Sequence, residues 1–250
     1  MISPTLLFAV LVGLAGQIVD GTLGMAYGVT CSTFLLALGI APALISYSVK
    51  VSEIFTTGVS GVSHIFHENV NKALCLELAI PGVIGGVTGA YLLSNFDGSK
   101  FKPWISAYLL VMGGYIFWRS NHKPVSVKPD ATHAIPLALT GGFLDAVGGG
   151  GWGPVVTSTL LAKGHPPRYV IGSVNMAEFF VTLSQALTFF FFLKLENLPI
   201  IVGLILGGVI AAPFAAKLCR ILPAKTMMRL VGALLILVSA RTLLLALKVI

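Results

Sequence analysis

A constant offset of 125 residues lays one half of this 250-residue chain on the other. Leu14–Pro42 reads LAGQIVDGTLGMAYGVTCSTFLLALGIAP, and Leu139–Pro167 reads LTGGFLDAVGGGGWGPVVTSTLLAKGHPP. The offset pairs Leu14 with Leu139, Gly16 with Gly141, Asp20 with Asp145, Gly24 with Gly149, Tyr27 with Trp152, and Gly28 with Gly153. It also pairs Gly39 with Gly164 and Pro42 with Pro167, and it carries Ser48-Val49-Lys50-Val51-Ser52-Glu53 onto Ser173-Val174-Asn175-Met176-Ala177-Glu178. A duplicated apolar chain with a polar, glycine-rich break in each half has the pattern of a transporter whose site lies at the repeat interface.

The duplication operates in a membrane. Hydrophobic residues make up 56% of the chain and charged residues only 10%, against roughly 25% charged in soluble domains; mean hydropathy is +0.94. Apolar stretches at 43–66, 74–93, 102–118, 168–193, 197–216 and 226–247 predict six full spans, each near or above the ~17–25 residues that crossing requires. Two further apolar hairpins, 4–40 and 134–163, are interrupted by the glycine loops. Their arms of about 16 residues reach roughly 24 Å. The hydrocarbon core is ~30 Å thick, so these arms read as broken or partial spans.

The N-terminal apolar run lacks a basic n-region and a clear A-x-A cleavage site. Its residues 14–42 recur at 139–167, where no signal peptide could lie, so the start reads as mature structure. Cys31, Cys75 and Cys219 are scattered, match no metal spacing, and read as small apolar packing residues. The net charge of +7 does not point to nucleic acid, because the basic residues mostly flank spans.

Each half holds one hairpin and three further spans. A hairpin returns the chain to the side it left, so three remaining spans make the parity odd and turn the second half upside down. The expected fold is therefore an all-α polytopic membrane protein of two inverted-topology repeats, each a glycine-broken helical hairpin plus three transmembrane helices. Residues 1–120 form the first repeat, 121–133 a linker and 134–250 the second repeat. One side carries Lys72, Arg119, Lys123, Lys128, Lys163, Arg168, Lys217, Arg220, Lys225 and Arg229; the other carries Lys100, Lys102, Lys194, Arg241 and Lys248. The imbalance places the first side and the linker in the cytoplasm and both termini outside.

Glycine is costly inside a helix, and an unpaired backbone group in lipid costs several kcal/mol. The loops carrying Gly21, Gly24 and Gly28, and Gly148 to Gly151 with Gly153, are tolerated at membrane depth only if buried in protein or lining a wet cavity. They precede helical segments expected near Val29 and Val155, with Pro154 suited to the first helical position. Two inverted helix N-termini aimed at one point make an anion site, with Thr30, Ser32, Thr157 and Ser158 as added hydroxyls. Gly85-Gly86 and Gly207-Gly208, inside spans, read instead as close helix packing.

Lys50 lies inside an apolar span with Glu53 three residues on. An intramembrane lysine costs at least ~2.5 kcal/mol, which makes it a functional candidate; snorkelling to a headgroup or neutralisation by Glu53 are the alternatives. Its repeat mate is Asn175, whereas Glu53 and Glu178 match. Asp20 and Asp145 sit where a carboxylate caps the loop by accepting backbone N–H bonds, in preference to a proton-transfer role; Glu53 and Glu178 relay protons or hold backbone. Tyr27 and Trp152 gate the cavity or pack as ordinary aromatics. His64 and His67 mark a span end at the interface. No HExxH, CxxC or Ser-His-Asp pattern with a nucleophile elbow supports an enzyme.

Taken together, D-x-x-x-G and D-x-x-G-G-G-G-x-G-P, each followed about 25 residues later by S-V-x-x-x-E, resemble the TauE/SafE sulfite-exporter family over nearly the whole chain. The resemblance implies a carrier in the cell inner membrane that exports sulfite or a related sulfur oxyanion or organosulfonate. It uses no cofactor or metal, and self-association as a homodimer is left open. The substrate-binding positions it implies are Gly24, Tyr27, Gly28, Lys50, Gly149, Gly150, Trp152, Gly153 and Asn175; Asp20, Glu53, Asp145 and Glu178 stand beside them, from the residues themselves, as coupling or structural carboxylates. The first loop departs from the family's glycine run, reading GTLGMAYG. Uptake of sulfate, thiosulfate or a sulfonate is the alternative within transport; a membrane-embedded enzyme or sensor of sulfur compounds is the alternative outside it. With no G-x-x-x-x-G-K-[ST] in the chain, energy comes from a gradient or another subunit.

Overall fold

The computed structural model describes residues 4–37, 42–95, 102–121, 134–148, 150–192 and 198–246, and these are helical with no strand among them. The first half comprises α1 (Pro4–Leu23), α2 (Tyr27–Ala37), α3 (Pro42–Phe66), α4 (Lys72–Asn95) and α5 (Lys102–Arg119). The second comprises α6 (Ala134–Gly148), a π-helical turn (Gly153–Thr157) running into α7 (Ser158–Lys163), then α8 (Pro167–Phe190), α9 (Leu198–Ile221) and α10 (Ala224–Ala246). Under the 125-residue offset each element falls on its counterpart. The linker expected at 121–133 lies almost wholly outside the described residues.

Five helices among the described residues are long and apolar enough to cross a membrane: Thr5–Leu23, Lys72–Ser94, Pro167–Phe190, Leu198–Ile221 and Ala224–Leu245. They include four of the six expected spans and, against expectation, the first arm of the first hairpin. That arm is α1, whose 20 residues extend roughly 30 Å, because the helix continues through Gly21 to Leu23 before breaking. Two expected spans are not among the five. α3 is 25 residues long but carries Lys50, Glu53 and a run of serines and threonines. α5 is 18 residues long and has Lys102 and Arg119 at its ends.

Helix partners are exchanged between the halves. α1 packs along α9, and their counterparts α6 and α4 pack along each other; α3 contacts α8, and α5 contacts α10. Glycine makes the α1–α9 and α4–α6 contacts so close that backbones touch. A Cβ on Gly207 would strike the carbonyl of Val10, and one on Gly85 would strike that of Leu139. Those glycines are helix-packing residues, as small residues are where lipid supplies no hydrophobic drive between helices.

Beside a hydrophobic core the bundle buries a set of polar and charged groups, while large apolar side chains cover its outside. Gln17, Asp20, Lys50, Glu53, Asp145 and Gln185 are buried, while Leu7, Leu11, Phe55, Leu76, Ile80 and Phe214 are exposed. In water that distribution would be unstable; against lipid tails it is the expected one. Several helical hydroxyls donate to carbonyls of the preceding turn, as in Thr88 to Ile84 (2.8 Å) and Thr140 to Pro136 (2.8 Å).

One end of the bundle is closed by polar contacts that join the halves. Arg168, at the start of α8, donates to the side-chain oxygen of Asn69 (2.8 Å) and to the carbonyls of His67 (2.8 Å) and Glu68 (3.0 Å). It thereby caps the C-terminus of α3, where carbonyls lack helical partners. Asn69 in turn donates to the carbonyl of Ala216 (2.9 Å), and Arg229 donates to Asn121 (2.6 Å). Lys72, Arg168, Arg220 and Arg229, all expected on one side, are thus brought to one end. His64, expected at the interface, is instead fully buried, with Nδ1 3.0 Å from the Asn69 amide nitrogen; the turn after α3 folds back over it.

Candidate functional site

The two chain breaks are short. The first is Gly24-Met25-Ala26, with Gly24 at φ +73° and Ala26 at φ +89°; in the second, Gly150 stands at φ +140°. Only glycine adopts such angles without strain. Helix resumes at Tyr27 and at Trp152–Gly153, two to three residues earlier than the positions near Val29 and Val155 that the sequence suggests. Aspartate explains the earlier start. Asp145 accepts the backbone N–H of Trp152 at 3.1 Å through Oδ1, and its main-chain carbonyl accepts from Gly150 at 3.3 Å. Asp20, its counterpart, faces the backbone N–H of Tyr27. Asp145 thus holds one backbone N–H at the start of the second helix, where such groups lack helical partners. The chain's own carboxylates occupy ground at the helix N-termini that an incoming anion would otherwise take.

The two breaks meet. A Cβ on Gly153 would collide with the carbonyl oxygen of Gly24 and lie 2.7 Å from Cα of Met25. Thr157 Oγ1 donates to the same Gly24 carbonyl at 2.8 Å. Gly28 is buried at the start of α2. Gly149 lies outside the described residues.

Lys50 stands beside this junction. Its Nζ donates to Glu53 Oε2 at 2.7 Å and to Asp145 Oδ2 at 2.7 Å, and the three side chains are 2%, 3% and 1% exposed. Snorkelling is excluded by that burial. Pairing with Glu53 is present as expected; pairing with Asp145, 95 residues away, joins the two halves. Among the described residues Lys50 is the only buried lysine or arginine.

The second copy of this cluster has the same acids but no lysine. Asn175 donates to the carbonyls of Ile171 (3.1 Å) and Asp20 (3.5 Å), and its oxygen accepts from Ser60 Oγ at 2.9 Å. Glu178 is 6% exposed and lies within electrostatic range of Asp20, Glu53, Asp145 and Lys50. All five ionisable groups singled out from the sequence therefore share one region.

Tyr27 and Trp152 are anchors. Trp152 is fully buried and donates Nε1–H to the carbonyl of Val174 at 3.2 Å. The Tyr27 hydroxyl lies between Ser52 Oγ (3.4 Å) and the Leu204 carbonyl (3.3 Å). Each aromatic ties its chain break to the following long helix or its neighbour.

Sequence reading missed Gln17 and Gln185, both fully buried. Gln185 donates to the carbonyl of Gly142 at 3.2 Å. The counterpart of Gln17 is Gly142, and that of Gln185 is Ser60, so each half contributes one glutamine, on exchanged helices. A polar side chain within an apolar span was the available signal. A groove of about 760 Å³ lined by Gly58, Val59, Val62, Phe66, Met176 and Phe179 lies on the α3–α8 face. It is apolar, unlike the polar cavity expected at the loops.

The sequence match is continuous across these elements: the sulfite exporter TauE/SafE family covers residues 9–242. The chain belongs to that family. It is also 46% identical over 241 residues to a protein of Bacillus subtilis (strain 168) described as the probable membrane transporter YtnM, covering 93% of this chain and 80% of that one. No solved structure matches. As a TauE/SafE member the chain is a membrane transporter, with several helices suited to the bilayer.

Proposed function

We propose that the protein is a secondary carrier exporting sulfite or a closely related small sulfur oxyanion or organosulfonate, with its site where the two chain breaks meet. The observation that carries this reading is a buried ammonium, Lys50, held between the two repeats at the paired breaks. An anion can reach that ammonium only by competing with Glu53 and Asp145. Lys50 would thus be exchanged between internal carboxylates and substrate as the site opens and closes.

The exchanged helix partners and the common offset support two inverted-topology repeats, residues 1–120 and 134–250, related by a pseudo-two-fold axis. On this reading the end closed by Arg168 faces the cytoplasm and both termini lie outside, in the inner membrane. Export of an anion then runs down an inside-negative potential, favourable by about 2.3 kcal/mol per charge per 100 mV.

Flux of labelled sulfite from proteoliposomes, with sulfate, thiosulfate and acetate as competitors, tests the substrate. Saturable sulfite flux blocked by close sulfur oxyanions and not by acetate is expected. Flux of thiosulfate or sulfate alone would move the assignment to the uptake alternative, and chemical conversion of the substrate would move it out of transport.

A further inference from the structure

The two copies of the ionic cluster differ by one positive charge. In one copy Glu53 and Asp145 each bring an oxygen within 2.7 Å of the Lys50 ammonium. The offset carries Glu53 to Glu178, Asp145 to Asp20 and Lys50 to Asn175. Asn175 is too short and carries no charge, and its amide is spent on the carbonyls of Ile171 and Asp20 and on Ser60. Glu178 Oε2 and Asp20 Oδ2 are left with no hydrogen-bond partner, although the residues are only 6% and 1% exposed. One helical turn before Asp20, on the same face of α1, Gln17 is fully buried with both amide atoms unpartnered.

Buried polar atoms are almost always satisfied, and buried charges are paired. The first copy shows what satisfies these two acids: one positive charge seated between them. We propose that Asp20 and Glu178, with the amide oxygen of Gln17, bind a single monovalent cation in the position equivalent to the Lys50 ammonium. The charge of that ligand follows from its counterpart, which is one. Its source is either an inorganic ion moving with the anion or the ammonium group of a zwitterionic substrate. In both cases it lowers the excess of four carboxylates over one ammonium that an anion would otherwise meet. Binding of an inorganic ion to this pair does not depend on which anion is carried. An ammonium-bearing substrate would select the organosulfonate branch of the proposed function, so failure of the cation site would leave the sulfite reading standing.

The test is the unfolding temperature of the full-length protein purified in detergent, at fixed pH and ionic strength. Sodium, lithium, potassium, ammonium or methylammonium chloride replaces choline chloride. A saturable rise of about 3–6 °C at ten times the dissociation constant is expected for at least one cation. A response to sodium, lithium or potassium assigns an inorganic coupling ion; a response confined to ammonium and methylammonium assigns the cationic end of a substrate. Asn175→Lys should supply the missing charge from within, raising the baseline and abolishing the response. Glu178→Gln should abolish the response independently, so the proposal stays testable if the lysine variant fails to fold. No response to any of the five cations, a response to pH alone, or a response retained in Glu178→Gln would overturn it.

Discussion

Lys50 Nζ lies 2.7 Å from Asp145 Oδ2, and this contact fastens the third helix of one repeat to the chain break of the other. Asp145 uses its second oxygen to hold the Trp152 backbone N–H. The same carboxylate therefore sets the start of a helix and the position of the buried ammonium.

Replacing Lys50 by Met leaves two buried carboxylates without their partner. Breaking a buried pair on one side costs about 3–5 kcal/mol, so Lys50→Met should lower the unfolding temperature and eliminate flux. Combining it with Glu53→Gln and Asp145→Asn should recover stability but not flux. Recovery of sulfite flux in the triple variant would show that Lys50 serves the fold alone.

Asp145→Asn and Asp145→Ala separate the charge from the cap. Asparagine keeps an oxygen for the Trp152 N–H, and alanine does not. The alanine variant should be less stable than the asparagine variant by about 0.5–2 kcal/mol. Equal unfolding midpoints would remove the capping role.

Gly207→Ala and Gly114→Ala form a matched pair. The first directs a methyl group into the Val10 carbonyl on α1, whereas at Gly114 nothing lies within 4 Å. Overpacking costs about 1–3 kcal/mol, and glycine to alanine at an open helical position gains about 0.5–1 kcal/mol. Opposite signs in thermal unfolding are expected; equal shifts would contradict the close α1–α9 packing.

Opposite-side labelling tests the inverted arrangement. Tags near Lys123 and after Ile250 should report the cytoplasm and the outside respectively. Both tags on one side would end the odd-span parity argument for each repeat.

Gly150→Leu probes the second chain break. At φ +140° a leucine is strained, so transport should fall sharply. If only the yield of folded protein falls and the surviving fraction transports normally, the break is a packing feature.

Much of this protein was legible in the linear chain because its repeat is recorded as identity at a fixed offset. Helical content, the paired breaks, the capping aspartates and the candidacy of Lys50 and its acidic neighbours all follow from periodicity and from the cost of charge in lipid. Where each helix stopped was less legible: α1 runs on to Leu23, and helix resumes at Tyr27 and Trp152, because cap geometry depends on a carboxylate that must first be brought into place. The tertiary structure alone decided the partners. No local signal could show that Asp145, and not merely Glu53, holds Lys50, since that contact joins residues 95 apart. Nor could it show that Gln17 and Gln185 are buried, or that Asp20 and Glu178 keep oxygens unpartnered. Sequence records which charges a chain carries; only the packing of distant helices determines which of them neutralise one another.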